Sequence, residues 1–203
     1  MRGIRYLAAA TAAAGLLAGG AASASAATAH PAASVHLKGG RTSVTTGPGI
    51  ALTLLKNGIV PIATAPGSQS LVWRKSGPAA RFSFPVTGGR VSLSPPSGDI
   101  RHRGGILFFN ATNGKHVRVS RFTIDLKHSD LTGIVNGNAM ARVTLFRLSL
   151  AHAKVNAGKH MVTVRGIGVK LSAVAAKALN AALGTTLFAP GLALGTASTT
   201  LRF

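Results

Sequence analysis

The sequence predicts a mainly β fold, an antiparallel β-sandwich with two short α-helices, in a chain of 203 residues. Three observations favour this fold class. Turn-forming Gly, Asn, Ser and Pro residues recur along the middle third of the chain, at intervals that match the length of short strands. Apolar residues in several segments alternate with polar or basic residues, the pattern of antiparallel strands with one wet face. Helical features occur in only two short segments.

Residues 1–29 read as a secretory signal peptide and its cleavage region. Arg2 and Arg5 form the positive start, residues 6–19 form an apolar run, and small residues then offer cleavage sites of the A-x-A type. The apolar run is shorter than the ~20 residues that a membrane-spanning helix requires. We therefore predict a secreted protein, extracellular or associated with the cell surface, that is not transmembrane after cleavage.

The rest of the chain is predicted to comprise a flexible N-terminal segment, residues 30–40, and a single β-sandwich domain, residues 41–203. Within the first of these ranges, residues 34–38 alternate and can form a strand, and Gly39-Gly40 predicts a turn. The domain then opens on a strand predicted from Arg41 to Thr46.

The first helix is predicted from Pro48 to Asn57. Proline suits the first helical position, and Gly58 suits the left-handed residue after a helix end. Three extended segments follow, at residues 59–63, 70–74 and 80–86.

Asn113-Gly114 predicts a hairpin between a strand at residues 106–109 and another that begins at His116. In the second strand, Val117 and Val119 share one face, whereas Phe122 and the apolar residues after it have the opposite parity. That phase change predicts a β-bulge near Ser120-Arg121.

Two further segments, around residues 146–150 and 162–165, alternate apolar with polar or basic residues and predict strands. The second helix is predicted from a capping Ser172 to Leu183, with Gly184 as its stop. A final strand is predicted at residues 195–202.

The chain is strongly basic, with 23 Lys and Arg against three Asp and no Glu. Removal of Arg2 and Arg5 with the signal peptide leaves 21 basic residues and a net charge of +18. This charge predicts electrostatic association with anionic cell-wall polymers or lipid headgroups; the alternative is that it serves solubility alone. Aromatic residues make up only 5% of the chain, and they do not interleave with the basic residues as a nucleic-acid stacking platform requires, so no specific nucleic acid is predicted.

The sequence carries no motif for catalysis. It has no nucleophile elbow, no P-loop and no dinucleotide fingerprint. The histidines lack metal-ligand spacing and the chain has no cysteine. We therefore predict no enzymatic activity, no metal site and no disulfide, so that packing alone must stabilise the fold. The sequence does not indicate the oligomeric state.

The densest polar cluster runs from Gly98 to Gly105 and contains Asp99, Arg101, His102 and Arg103. As a ligand-binding site, it would use His102 as ligand and Asp99 as its second-shell partner. As a structural element, it would be a turn at the entry of a strand, with Asp99 paired to a neighbouring arginine and His102 buried and hydrogen-bonded.

Two stretches resemble a group of actinobacterial exported proteins of unknown function. These are FPVTGGRVSLSPPSGDIRHRGGILFF, residues 84–109, and VTVRGIGVKLSAVAAKALNAALGTTLFAPGLALGTAS, residues 162–198. The turn within the first stretch and the whole of the second stretch are also similar to parts of the HtaA domain, a cell-surface haem-binding β-sandwich. The resemblance covers roughly residues 50–203.

The HtaA resemblance implies the fold and makes haem or another small ligand an alternative to the anionic-envelope function. That family is associated with a haem-ligating tyrosine in its N-terminal part, and the only tyrosine here is Tyr6, in the signal peptide. The tryptophan-led opening segment is also missing, so haem ligation of that type does not carry over. The expected function is a secreted, non-enzymatic binding or structural module associated with the anionic cell envelope, with no cofactor. In the alternative, a protein that binds haem or another small ligand, His102 is the residue to test.

Overall fold

A computed structural model describes residues 34–93 and 95–203, which lie within one compact unit. The signal peptide predicted at residues 1–29 lies outside the described residues. The described elements, in chain order, are β1 Val35–His36, β2 Gly39–Thr46, α1 Ile50–Lys56, β3 Ile59–Thr64, β4 Ser68–Arg74, β5 Gly77–Leu93, β6 Pro96–His102, β7 Gly105–Asn110, β8 His116–Asp125, β9 Asp130–Val135, β10 Asn138–Ser149, β11 Lys154–Ala157, β12 Met161–Leu171, α2 Ala173–Leu183 and β13 Ala193–Arg202.

Eight antiparallel strands pair into a closed ring in the order β5, β2, β13, β12, β10, β9, β8, β6 and back to β5. The prediction of a mainly β, antiparallel fold with two short helices is confirmed. The sandwich arrangement is corrected to a closed eight-stranded barrel, because β6 pairs with both β5 and β8 and so joins what would otherwise be two sheet edges.

The remaining described strands pair with strands of this ring, except β3, which pairs with β7. β5 is long enough to pair with β4 along its first half and with β6 along its second half. β8 likewise pairs with β7 along its first half and with β6 along its second half. β3 pairs with β7 and extends the sheet on that side. In the described part of the chain, β4 pairs only with β5 and β11 only with β12, so both are edge strands.

The core fills the ring with side chains from alternate strand positions, including Phe84 and Phe122, whose rings meet edge to face at 4.9 Å between centroids. α2 adds a face of four buried residues, namely Ala175, Ala176, Leu179 and Leu183. Ser172 caps this helix by accepting a hydrogen bond from the backbone N–H of Ala175 at 3.0 Å. Both predicted helices are confirmed, although α1 begins at Ile50 and not at Pro48.

The hairpin predicted around Asn113-Gly114 is confirmed as the β7–β8 connection. The predicted bulge is also present. Arg121 has a φ of 50°, and the register between β8 and β9 shifts between Ser120 and Thr123. The bulge turns Phe122 and Ile124 into the core after Val117 and Val119, as the change of parity requires.

The glycine pair predicted as a turn lies within a strand instead. Gly39 and Gly40 begin β2 and pair with β13, and a Cβ on Gly40 would lie 2.0 Å from the carbonyl oxygen of Thr200. Glycine is needed here for close backbone approach. With β1 at Val35–His36 and Leu37 only 2% exposed, the described structure also has folded residues before Arg41, within the range predicted as a flexible segment.

No helix among residues 34–93 and 95–203 is both long enough and apolar enough to cross a membrane.

Candidate functional site

A basic groove lies on the outer face of the sheet, where strands β12, β13, β2, β5 and β4 run side by side. Its volume is about 350 Å³. Four arginines and a set of hydroxyl side chains line it: Arg41, Arg74, Arg81, Arg165, Ser43, Thr45, Thr196, Ser198 and Thr200.

The strand register explains why these side chains meet. Arg165 lies opposite Ser198, Ser198 opposite Ser43, and Ser43 opposite Ser83. These four residues form one row across four strands, with strands about 4.8 Å apart. Because neighbouring positions on a strand point to opposite faces, the residues two before and two after each serine extend the same outer surface. The result is a surface of hydroxyl groups bordered by guanidinium groups.

Hydrogen bonds hold part of this surface in place. An Nη1–H of Arg41 donates to the Ser83 hydroxyl at 3.3 Å, and the Nε–H of Arg81 donates to the Thr45 hydroxyl at 3.4 Å. The hydroxyls of Ser43 and Ser83 are 2.8 Å apart. These contacts leave most of the guanidinium donors free to bind an anion, since each group carries five N–H bonds.

No carboxylate neutralises the groove. The chain has three acidic residues, and all lie in the described part. Each has a partner elsewhere: Asp99 pairs with Arg101 at 2.6 Å, Asp125 with His128 at 2.7 Å and Asp130 with Arg147 at 2.8 Å. The charge of the four groove arginines is therefore uncompensated by protein.

The cluster predicted at residues 99–103 does not converge on one point. Its first three members lie in β6, where Asp99 and Arg101 point outward and His102 points into the core. Arg103 is exposed just beyond the strand, and its backbone N–H donates to the Pro85 carbonyl at 3.2 Å. Asp99 binds Arg101 and lies on the face opposite His102, so it is not a second-shell partner of that histidine.

His102 is 4% exposed and belongs to a chain of four buried groups. Its Nδ1 is 3.3 Å from the carbonyl oxygen of Phe122, which can only accept, so Nδ1 carries the proton. Nε2 therefore accepts from the Thr42 hydroxyl at 2.7 Å, and Thr42 in turn accepts from the Thr199 hydroxyl at 2.7 Å. Burial lowers the pKa of His102 from 6.5 to about 4, against the opposing effect of the Phe122 carbonyl. The ring is neutral at pH 7.

Next to His102 is an apolar cavity of about 90 Å³, lined among others by Phe82, Phe84, Phe122 and Phe146. Sites for drug-sized ligands have volumes of roughly 300–1,000 Å³. The cavity is too small for haem, and both ring nitrogens of His102 are already hydrogen-bonded. The residues present around His102 therefore do not fit a haem ligated by this histidine. No three His or Asp side chains in the described ranges are close enough to hold a metal ion.

The groove was only partly visible in the sequence. Alternating Arg, Ser and Thr in residues 41–45 and 81–83 indicate wet strand faces. Strand order was needed to show that these faces adjoin one another, and that order depends on pairings between distant parts of the chain.

No family model matches the chain, and no curated protein matches it. It is similar to the solved structure of the C-terminal domain of HtaA from Corynebacterium glutamicum, at 18% identity with a TM-score of 0.51, over 81% of this chain and 98% of that one. A second similar structure, at 19% identity with a TM-score of 0.48, is the domain-swapped dimer of a histidine-to-alanine variant of that domain, over 69% of this chain and 85% of that one. The predicted distant similarity to the HtaA domain is confirmed at the level of the fold, which this chain shares with the C-terminal domain of HtaA.

Proposed function

We propose that this protein is a secreted, non-enzymatic binding module that holds phosphate-rich polymers of the anionic cell envelope in its basic groove. The single observation that carries the proposal is the row Arg165, Ser198, Ser43 and Ser83, flanked by Arg41 and Arg81, without a carboxylate partner. A module that bound neutral sugars or apolar ligands would not need this charge.

The donor set suits phosphate. Guanidinium groups present paired N–H donors that match two phosphate oxygens, and these charge-assisted hydrogen bonds are stronger than neutral ones. The serine and threonine side chains between the arginines are short, and their hydroxyl groups add uncharged hydrogen-bond donors. An extended groove across five strands suits a linear polymer with a charge on each repeat better than a single compact anion.

Retention at the cell surface follows from the same chemistry. Exposed charges interact over about 10 Å at moderate ionic strength, and salt screens them. Polymer binding through the groove should therefore be strong at low salt and weak at high salt. Lipid headgroups are a second source of phosphate, but a bilayer surface cannot enter a groove as a flexible polymer can.

The test uses residues 27–203, the chain left by cleavage after the Ala24-Ser25-Ala26 site. It measures co-sedimentation with isolated bacterial cell walls, before and after chemical extraction of their phosphate-rich polymers. The proposal predicts binding to intact walls at low salt, release at high salt, and little binding to extracted walls. Equal binding to intact and extracted walls would contradict it.

Haem binding is the second candidate, implied by the resemblance to HtaA domains. The shared fold supports a binding role in general. The geometry of His102 argues against ligation by this residue, since both ring nitrogens already have partners. A haem titration followed by absorbance at low and high salt separates the two: the groove proposal predicts no saturable Soret band that survives high salt.

A further inference from the structure

An apolar patch lies on α1 and the edge strand β4, formed by Leu52, Leu55, Leu71 and Trp73. Their side chains are 45%, 55%, 61% and 77% exposed, respectively. Leu52 and Leu55 are three residues apart and share one helix face. Leu71 and Trp73 are two residues apart and share one strand face. Leu55 and Leu71 line the same groove, of about 340 Å³, which joins the two elements into one surface.

None of these four side chains belongs to the hydrophobic core of the described residues. α1 contributes Leu54 to the core and leaves its other leucines outside. β4 pairs with β5 along one edge, and the hairpin ends beside Trp73, which lies opposite Pro78. A tryptophan that is three-quarters exposed near the tip of a hairpin contributes little to folding. Scattered exposed apolar residues are ordinary, but four on two elements that line one groove together, through Leu55 and Leu71, indicate an interaction site.

The positive charges near the patch favour an anionic partner. Lys56 lies four residues after Leu52, at the last turn of α1, and Lys75 lies in the turn that follows β4. All three carboxylates of the chain pair with residues on other strands or turns, at Arg101, His128 and Arg147. A second copy of this protein would bring the same positive charges to the patch, and like charges disfavour that contact.

We propose that the apolar patch inserts into the headgroup region of an anionic lipid bilayer. Tryptophan and leucine beside lysine are the composition of interfacial anchors, because the indole ring favours the boundary between headgroups and acyl chains. Affinity in such anchors comes from buried apolar area together with attraction to anionic lipid. This inference goes beyond the basic groove and does not depend on it, since the patch and the groove use different side chains.

Trp73 makes the test direct, because it is the only tryptophan in the chain. Residues 27–203 are titrated with vesicles of phosphatidylglycerol and phosphatidylcholine, and in parallel with vesicles of phosphatidylcholine alone. The proposal predicts a blue shift of tryptophan emission and co-sedimentation with the anionic vesicles only. Leu71→Ser should weaken binding to anionic vesicles about tenfold, because it removes an inserted apolar side chain.

Val155→Ser is the matched control. Val155 is also 61% exposed on an edge strand, β11, but lies outside the patch, so its replacement should leave vesicle binding unchanged. Leu55→Ser is a second patch variant on another element, and circular dichroism checks that each variant is folded. The proposal is overturned if tryptophan emission does not shift on anionic vesicles, or if Leu71→Ser and Val155→Ser lose binding equally. It is also overturned if the shift occurs with acidic polypeptide and not with vesicles. Co-sedimentation without an emission shift would indicate attachment through charge alone and would equally refute insertion.

Discussion

Protonation of His102 should destabilise the fold as the pH falls below 6.5. The pKa of this buried ring is lowered from 6.5 to about 4, chiefly because burial penalises the charged form. The unfolded chain binds a proton near pH 6.5, whereas the folded protein resists it until about pH 4. The neutral ring therefore contributes stability above pH 6.5, and that contribution is lost as the pH falls towards 4.

The size of the effect follows from the shift. A pKa lowered from 6.5 to about 4 corresponds to about 3 kcal/mol, since a tenfold change in proton affinity corresponds to about 1.4 kcal/mol. Between pH 6 and pH 5 the free energy of unfolding should fall with a slope approaching about 1.4 kcal/mol per pH unit from this residue alone. The Asp125 carboxyl does not contribute to this window, because hydrogen bonding to His128 lowers its pKa below 3.8.

The assay is urea unfolding followed by circular dichroism, at a series of pH values from 7 to 4, for the wild type and His102→Gln. The glutamine side chain does not titrate and can still accept from the Thr42 hydroxyl. The free energy of unfolding of the wild type should fall about 3 kcal/mol more than that of the variant across this range. His116→Gln, at an exposed position, is the control and should follow the wild type. Parallel curves for the wild type and His102→Gln would show that the buried ring of His102 does not set this pH dependence.

Three other substitutions test the fold in the same urea assay. Ser172→Ala removes the cap of α2 and should cost about 1 kcal/mol, whereas Ala173→Ser, at an exposed first-turn position, should cost less. Gly89→Ala places a Cβ 2.1 Å from the Asp99 carbonyl oxygen at a φ of 132°, and should cost about 2 kcal/mol or more; a neutral result would contradict the close approach of β5 and β6. Asn110→Ala removes the buried amide that donates to the Leu183 carbonyl at 2.8 Å, and should cost about 1–3 kcal/mol; an effect no larger than that of a surface substitution would show that the α2 end does not depend on it.

The local features of this fold follow from local sequence. The β7–β8 hairpin is set by Asn113-Gly114, the bulge by the change of apolar parity after Ser120, and α2 by Ser172 and its apolar stripe. Each of these depends on residues within about ten positions of one another, so a single sequence is sufficient to predict them.

The closure of the ring was not predictable in this way. It depends on β6 pairing with β5 on one side and β8 on the other, and single-strand patterns do not specify partners. The role of a glycine pair could not be predicted either, because glycine occurs both in turns and where two backbones approach closely. Gly40 is an example of close approach, to the backbone of Thr200.

The candidate site was likewise predictable only in its local features. The residues from Asp99 to Arg103 form a polar cluster in sequence, but the alternation of β6 directs His102 inward and Asp99 outward. The basic groove combines residues from five strands, with Arg165 more than 120 positions from Arg41 along the chain. The sequence of each strand predicts which hydroxyl and arginine side chains face solvent. The order of the strands in the barrel then brings these side chains next to one another.

The most direct test of the central claim is calorimetric titration with inorganic polyphosphate at low and high salt, on two double variants of equal charge. Arg41→Ser with Arg165→Ser removes two cations from the groove, and Arg118→Ser with Lys127→Ser removes two exposed cations outside it. Four phosphate contacts, treated like those of a single-stranded nucleic acid, predict a slope of log affinity against log salt of about −3 for the wild type. If the polymer binds in the groove, the groove variant should lose about half of this slope and most of its affinity, while the control stays close to the wild type. Equal losses in both variants would show that net charge alone draws the polymer, and would contradict a built site.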